Sequence, residues 1–451
     1  MFLLLFAVII SSTFVSLIYF KVKNNFNGDK GTLESESREI HGPKGYPLVG
    51  KGLEFIFPDS VETFKKIIDY TQKWDYRIRA YAAWHRFVLV AVPEDIEMIM
   101  TDQRFLEKSE DYNAMRDWLQ DGLLTVSKKS KWQKRRKILT PAFHFSILEE
   151  FVQVMNQQAS VLTNILKKHA DGDGFDIAHY ISLYTMDVIC ETSMGTKINA
   201  QTDVNSEYVK AVVELSSILH WRQHHFLARD NWFWKWTNNK KRHDYLVQKI
   251  HSHTDNIIEA RRIEKQKNTL NGVPVADDLG IKKRTALLDI LLDSTIDGAK
   301  LSNEDIREET DNFMFAGHDT TTSAINFLLY NLAKNPEIQQ KVYEEIVEVL
   351  GSDPSKTFSV NDLSNFKYFE LVLKESLRLY SPVPIIGRYL REDVEIRQRF
   401  AQLEIKAVTS RILQNFKLEL ADPNFEPILS AELVLKPVNG IWLKLKPRQN
   451  A

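Results

Sequence analysis

The sequence predicts a mainly α-helical body with small peripheral β-sheets and an N-terminal membrane anchor. Three observations predict it. Residues 302–334 read as one helix, about 45 Å long at 1.5 Å per residue, enough to run through a whole domain. Long segments up to residue 380 or so recur at helical spacing, while strand signals stay confined to "RFVLVAV" (86–92) and "LVLKPVNGIWLKL" (433–445). Residues 2–20 carry no charge, and about twenty residues of apolar helix cross a bilayer core.

Taken in order, Lys21 and Lys23 follow the uncharged run and nothing basic precedes it, which favours leaving the rest of the chain in the cytosol. A cleaved secretory signal is the rival, but it calls for a basic start and an A-x-A type site, and neither is present. We expect a transmembrane signal-anchor at 1–20, a polar linker at 21–40 and one domain over 41–451. In "HGPKGYPLVG" (41–50), Pro43 and Pro47 stiffen the backbone while Gly42, Gly45 and Gly50 permit turns. It reads equally as a hinge fixing the body against the membrane or as an ordinary loop. An apolar fraction of 43% allows a substantial core. A net charge of −1 argues against a basic nucleic-acid binder. The one cysteine, Cys190, excludes an internal disulfide framework. The 433–445 run predicts a hairpin with Asn439-Gly440 at its tip.

The long helix has caps at both ends: Ser302 with Asp305 as a capping box, and Asn335-Pro336 as the stop. Its middle, "AGHDTTT", places a glycine and three β-branched threonines where Ala or Leu would be preferred. Threonine hydroxyls can bond back to carbonyls one turn earlier and loosen the ladder. Gly317 lets a flat ligand or another backbone approach closely. Asp319 and Thr320 offer a carboxylate and a hydroxyl for proton relay. A kinked helix with satisfied polar groups is the alternative. Further on, Glu375 and Arg378 are three apart and can pair, and the apolar neighbours Leu371, Val372, Leu379 and Tyr380 suggest a half-buried pair. Near the end, "VEIRQRFAQLEIKAV" (394–408) passes from a strand-like run straight into a helix whose Phe400, Leu403, Ala407, Val408 and Ile412 mark one apolar face. No turn residue separates the two.

These pieces are more specific together than alone. "WQKRR" (132–136), "AGHDTT" (316–321) and "ESLR" (375–378), with the anchor and the proline segment, stand in the order and spacing of the cytochrome P-450 monooxygenases. "GPKGYPLVG" (42–50), "CETSMGTKINAQ" (190–201) and "FAQLEIKAV" (400–408) resemble family 4, in its insect branch. The resemblance covers nearly the whole chain. It implies a mainly helical body clasping heme b, the long helix crossing the distal face. Ala316 and Gly317 would line the oxygen pocket, and Asp319 and Thr320 would deliver protons. Trp132 and Arg136 match the W-x-x-x-R pattern that touches a haem propionate, and Arg388 matches a basic residue of the same role. Ala316 stands where many family 4 members carry the Glu that forms a haem ester, so no covalent link is expected. The basic run "KKSKWQKRRK" (128–137) fits a docking face for an acidic electron donor, NADPH-cytochrome P-450 reductase, with cytochrome b5 as a second donor, or else a solvated helix face.

One piece is missing. The family holds haem iron by a cysteine thiolate on an F-x-x-G-x-R-x-C-x-G loop, and no such pattern occurs here. The resemblance places the loss between Ile396 and Arg397, roughly 60 to 70 residues, which would restore a chain of about 510–520. Cys190 lies in a helical pattern beside Leu183, Met186 and Ile189 and reads as a buried structural thiol. No metal ligand is therefore assigned. In the family a third residue, an Arg from the missing stretch, completes the Glu375–Arg378 network. Its loss from a buried network would cost about 3–5 kcal/mol, so poor haem retention and marginal folding are expected. By resemblance the intact enzyme would hydroxylate small lipophilic substrates at the endoplasmic reticulum membrane, with no nucleic-acid partner. The alternatives for this chain are a non-catalytic, membrane-anchored truncated isoform that binds lipid or the reductase only, or a faulty gene model.

Overall fold

The computed structural model describes residues 42–43, 45, 51, 54, 59–74, 76–82, 85–101, 105–143, 145–203, 207–224, 228, 231–270, 286–353, 355–389, 402–431 and 434–448. They fall into two compact units: Met1–Phe105 with Trp221–Trp236 and Leu390–Arg397, and Leu106–His220 with Thr237–Tyr389 and Gln398–Ala451. Among them no helix is long and apolar enough to cross a membrane. The expected anchor, the linker and the 394–397 joint lie outside the described residues.

In the first unit, helix α1 (Ser60–Lys73) starts where Asp59 accepts the Glu62 amide at 2.8 Å. Strands β1 (Arg77–Ala82) and β2 (His85–Val90) pair antiparallel from Arg77↔Val90 to Ala82↔His85. The β2 run was legible in its consecutive aromatic and β-branched residues, whereas β1 was not anticipated. Helix α2 (Pro93–Thr101) follows with proline at its start, where no amide is needed. Gly42 lies directly on the Arg79 carbonyl, leaving no room for a side chain.

The second unit is built on ten helices that matter here. They are α3 (Lys129–Leu139), α4 (Phe145–Leu166), α5 (Ala178–Ile189), α6 (Asn238–Leu270), α7 (Leu287–Asp293), α8 (Asn303–Lys334), α9 (Pro336–Leu350), α10 (Val360–Asn365), α11 (Lys367–Leu379) and α12 (Gln402–Asn415). The long helix α8 has the predicted caps. Ser302 Oγ accepts the Asp305 amide at 3.1 Å, the Asp305 carboxylate returns to the Ser302 amide, and Asn335 ends it before Pro336 opens α9. Tyr184 of α5, Leu162 of α4, Ile325 and Leu328 of α8, Phe369 of α11 and Leu413 of α12 share one buried cluster, so α8 is central to this unit. Helix α5 runs into a π-turn (Cys190–Met194), which Gly195 closes at φ 68°.

Sheets are small. Strand β3 (Phe175–Asp176) joins β9 (Trp442–Pro447), which pairs with β6 (Phe416–Leu420) from Phe416↔Pro447 to Leu420↔Leu443. Strands β4 (Thr295–Ile296) and β5 (Ala299–Lys300) form a short hairpin, and β7 (Leu429–Ala431) pairs with β8 (Leu435–Pro437). This corrects the expected 433–445 hairpin. The Asn439-Gly440 turn exists, with Gly440 at φ 73°, but β8 and β9 do not pair with each other. The Asn439 side chain reaches back to Ile428 N at 2.7 Å, and each strand finds a different partner on its outer edge.

Helix α12 is buried through a partly polar face. Ile412 enters the core as expected, and Leu413, outside the expected face, does too; Thr409, Ser410 and Gln414 are also buried. Among the described residues the Thr409 and Ser410 hydroxyls and both polar atoms of the Gln414 amide find no hydrogen-bond partner.

Candidate functional site

The centre of α8 is not broken. Helical structure is continuous from Asn303 to Lys334, although the threonines do bond backwards: Thr320 to the Ala316 carbonyl, and Thr322 to the His318 carbonyl at 2.8 Å. The ladder survives because α5 packs along the same stretch and Thr322 Oγ1 also meets Thr185 Oγ1 at 2.6 Å. Gly317 does admit a close approach, by a side chain: a Cβ there would stand 2.5 Å from Ile189 Cδ1. Ala316, Gly317 and Thr320 form a half-exposed strip on an otherwise buried segment.

Asp319 points elsewhere. It is buried, with His318 Nδ1 at 3.4 Å and Lys436 Nζ of β8 at 3.8 Å. Ser323, one turn on, donates to the Leu435 carbonyl at 2.5 Å, so β8 lies along this face. Thr320 gives its proton to its own helix, and Asp319 and Thr320 are not bonded to each other. His318 Nε2 is 3.1 Å from Ser182 Oγ, and burial lowers its pKa.

Helix α3 meets α8 through Arg135, a residue the motif did not single out. Arg135 is buried and pairs with Asp305, with Glu308 at 3.2 Å and with Glu309 at 3.6 Å. Lys131 joins Glu308 at 2.8 Å. The same acidic face takes the amides of Asp121, Leu123 and Leu124 on Glu308, Glu309 and Asn312, so the loop before α3 is bolted onto α8. Gly122 has no room for a side chain against Asn312. Burial pushes Glu309 up to about 7, against the pull of Arg135. Three acids at one helical face of 305–309 were the available signal. Trp132 and Arg136 sit together, the exposed guanidinium 5.0 Å over the indole. Of the basic run, Lys131, Lys134 and Arg135 are neutralised by Glu308, Asp297 and the acidic face; Lys128, Lys129, Arg136 and Lys137 stay exposed.

Arg388 is half-buried and lies beside Lys108 across an isolated antiparallel bridge. Lys108 was missed in the sequence; nothing local marks it. Glu375 and Arg378 do pair, at 2.7 Å on two atoms, but both side chains are more than half exposed. The expectation of a half-buried pair is thus corrected. The face of α11 that carries them is its wet one; its buried positions are Phe369, Leu373 and Ser376. The penalty argued from a stranded buried network does not apply to a solvated pair.

Cys190 is buried within the π-turn, and burial pushes its thiol far up, with the nearby Asp187 adding to the effect. Among the described residues no group of three or more His, Cys, Asp or Glu side chains is arranged to hold a metal ion.

A central helix with a half-exposed glycine strip, a guanidinium-bearing flanking helix and small edge sheets defines a mainly helical class of protein. The sequence profile described as Cytochrome P450 matches residues 40–399. Cytochrome P450 4d2 of Drosophila melanogaster is 39% identical over 477 residues, covering 91% of this chain and 94% of the relative. Cytochrome P450 4d1 of Drosophila simulans is 35% identical over 518 residues, covering 99% and 100%. Cytochrome P450 4V2 of Homo sapiens is 36% identical over 473 residues, covering 90% and 89%. The chain belongs to the cytochrome P450 family.

Proposed function

We propose that this chain derives from a haem-thiolate monooxygenase of lipophilic substrates and has lost the group that would ligate iron. Haem supplies, when bound, the iron centre at which dioxygen is activated. The residues present suit its edges. Ala316, Gly317 and Thr320 offer a strip with little side-chain bulk, and Arg388 and Arg136, the latter stacked on Trp132, offer positive charge for carboxylates.

The fit fails beneath the iron, and the burial of Cys190 carries this reading. A thiolate is required there, and the chain's one cysteine is enclosed in the α5 π-turn with its thiol form favoured. His318 is held by Ser182 inside the α5–α8 contact. Two facts support a loss at Ile396/Arg397. The family profile ends at residue 399. The alignment with the Drosophila simulans relative spans 518 residues against a chain of 451, so at least 67 of its positions have no residue here. No catalytic step is assigned to this chain.

The test is spectroscopic. Purified full-length chain incubated with hemin is expected to show no thiolate-type carbon monoxide difference band and to lose haem on gel filtration. A thiolate band, with laurate oxidation on adding NADPH and the reductase, would overturn the proposal. Transcript sequence across codons 396–397 decides whether a longer, cysteine-bearing form accompanies this one.

A second reading, a non-catalytic protein anchored at the endoplasmic reticulum by residues 2–20, is favoured by the exposed Lys128, Lys129, Arg136 and Lys137. These would still steer an acidic partner such as the reductase. Salt-sensitive co-sedimentation with reductase in nanodiscs supports it; binding indifferent to salt argues against it.

A further inference from the structure

We infer that one face of α6, together with Asp117, forms a binding site for a linear aliphatic polyamine. An open pocket of about 460 Å³ lies there, with Asp117, Asp244, Val247, His251 and Asp255 in its lining. Asp117 belongs to the short helical turn Arg116–Leu119; the other four belong to α6. Asp244, Val247, His251 and Asp255 follow one another at steps of three and four residues, so they stand in one row along the helix. Asp244 and Asp255 are eleven residues apart (255 − 244), about 16 Å at 1.5 Å per residue.

The row accepts hydrogen bonds more than it donates them. Arg307 donates to Asp255 Oδ2 at 2.7 Å, while Asp255 Oδ1, shielded from solvent, has no partner among the described residues. His251 Nε2 lies 2.7 Å from the Trp118 carbonyl. A carbonyl only accepts, so Nε2 carries the proton. Burial, foremost, lowers the pKa of this imidazole, and in the neutral ring Nδ1 is then an acceptor. One layer behind stands Asp311 of α8, 1% exposed. Its Oδ2 has no hydrogen-bond partner among the described residues and lies 3.6 Å from His251 Nε2. At the other end Asp244 holds Lys240 at 2.5 Å and His243 Nδ1 at 3.0 Å, and Asp117 is exposed across from the row. Three carboxylates on the lining thus face one ammonium, that of Lys240.

The ligand follows from this order. Carboxylates at the two ends, with valine and a neutral imidazole between them, complement ammonium groups joined by methylene chains. A lone ammonium would meet one acid and leave the other. A divalent ion draws its oxygen ligands to within about 2.0–2.6 Å, and no cluster of three such side chains is arranged to do so among the described residues. An extended tetraamine reaches both ends. The site stands whether or not haem binds.

The experiment is calorimetric titration of the full chain at pH 7 and about 0.15 M salt, with spermine, putrescine and magnesium chloride. Spermine should bind at least about tenfold more tightly than putrescine, which spans too little to meet both acids. Asp255→Asn should weaken spermine about tenfold. Asp244→Asn, at a more exposed position, should weaken it about threefold and decides the matter even if Asp255→Asn fails to fold. Glu337→Gln removes the same charge from the exposed surface of α9 and should change affinity less than about twofold. Equal weakening by Glu337→Gln would show diffuse attraction to negative charge and overturn the site. Putrescine binding as tightly as spermine, magnesium displacing spermine at equal concentration, or no spermine binding would overturn it too.

Discussion

Arg135 of α3 reaches Glu308 of α8 at 3.2 Å with its own side chain almost wholly buried. The adjacent Arg136 stays in solvent over Trp132. Two neighbouring guanidinium groups therefore have opposite jobs. Arg135→Met would leave Glu308 with Lys131 alone and strand Glu309 in the interior without a cation, and should lower stability by about 3–5 kcal/mol. Arg136→Met should cost less than about 1 kcal/mol. Urea unfolding of both variants checks this, and equal losses would refute the assignment.

Asp311 of α8 accepts from Thr254 of α6 at 2.7 Å and lies 3.6 Å from His251 Nε2. Burial pushes its carboxyl up to about 8, while an unfolded aspartate titrates near about 3.9. A folded value above the unfolded one means stability is complete below pH ~4 and declines as pH rises toward ~8. Glu309, at about 7, acts in the same direction. Asp311→Asn keeps an acceptor for Thr254 and should be more stable than the parent at pH 8, with a flatter profile from pH 5 to 8.5. Chemical denaturation across that range is the measurement; a steeper profile would count against it.

Thr409 and Ser410 of α12 bury hydroxyls that have no partner among the described residues. Replacing a buried orphan by an apolar group of the same shape removes a desolvation cost of about 1–3 kcal/mol. The double variant Thr409→Val, Ser410→Ala is expected to raise the thermal midpoint. A lower midpoint would mean these hydroxyls are satisfied after all.

Glu375 and Arg378 form an exposed pair. The double substitution to alanine should change stability by less than about 1 kcal/mol. A loss of several kcal/mol in thermal or urea unfolding would restore the buried network that the sequence suggested.

How much was legible follows from where the information lies. Ser302, Asp305, Asn335 and Pro336 mark the ends of α8 because capping is a contact between near neighbours in sequence. The β2 run at 85–90 was readable from its consecutive aromatic and β-branched residues, and the Asn439-Gly440 turn from its dipeptide. The partners of β8 and β9 were not readable, since pairing is a choice among distant edges. Cys190 was read as buried from its apolar neighbours, and it is buried.

By itself the sequence determined the family, the central helix and its caps, and the single cysteine. Each depends on residue identity and local spacing. Only the tertiary structure decided which of two adjacent arginines enters the protein, that Gly317 receives Ile189, that Glu375 and Arg378 face water, and that Lys108 stands beside Arg388. Those outcomes depend on which surfaces meet, and burial and charge pairing have no counterpart along the chain until distant segments are brought together.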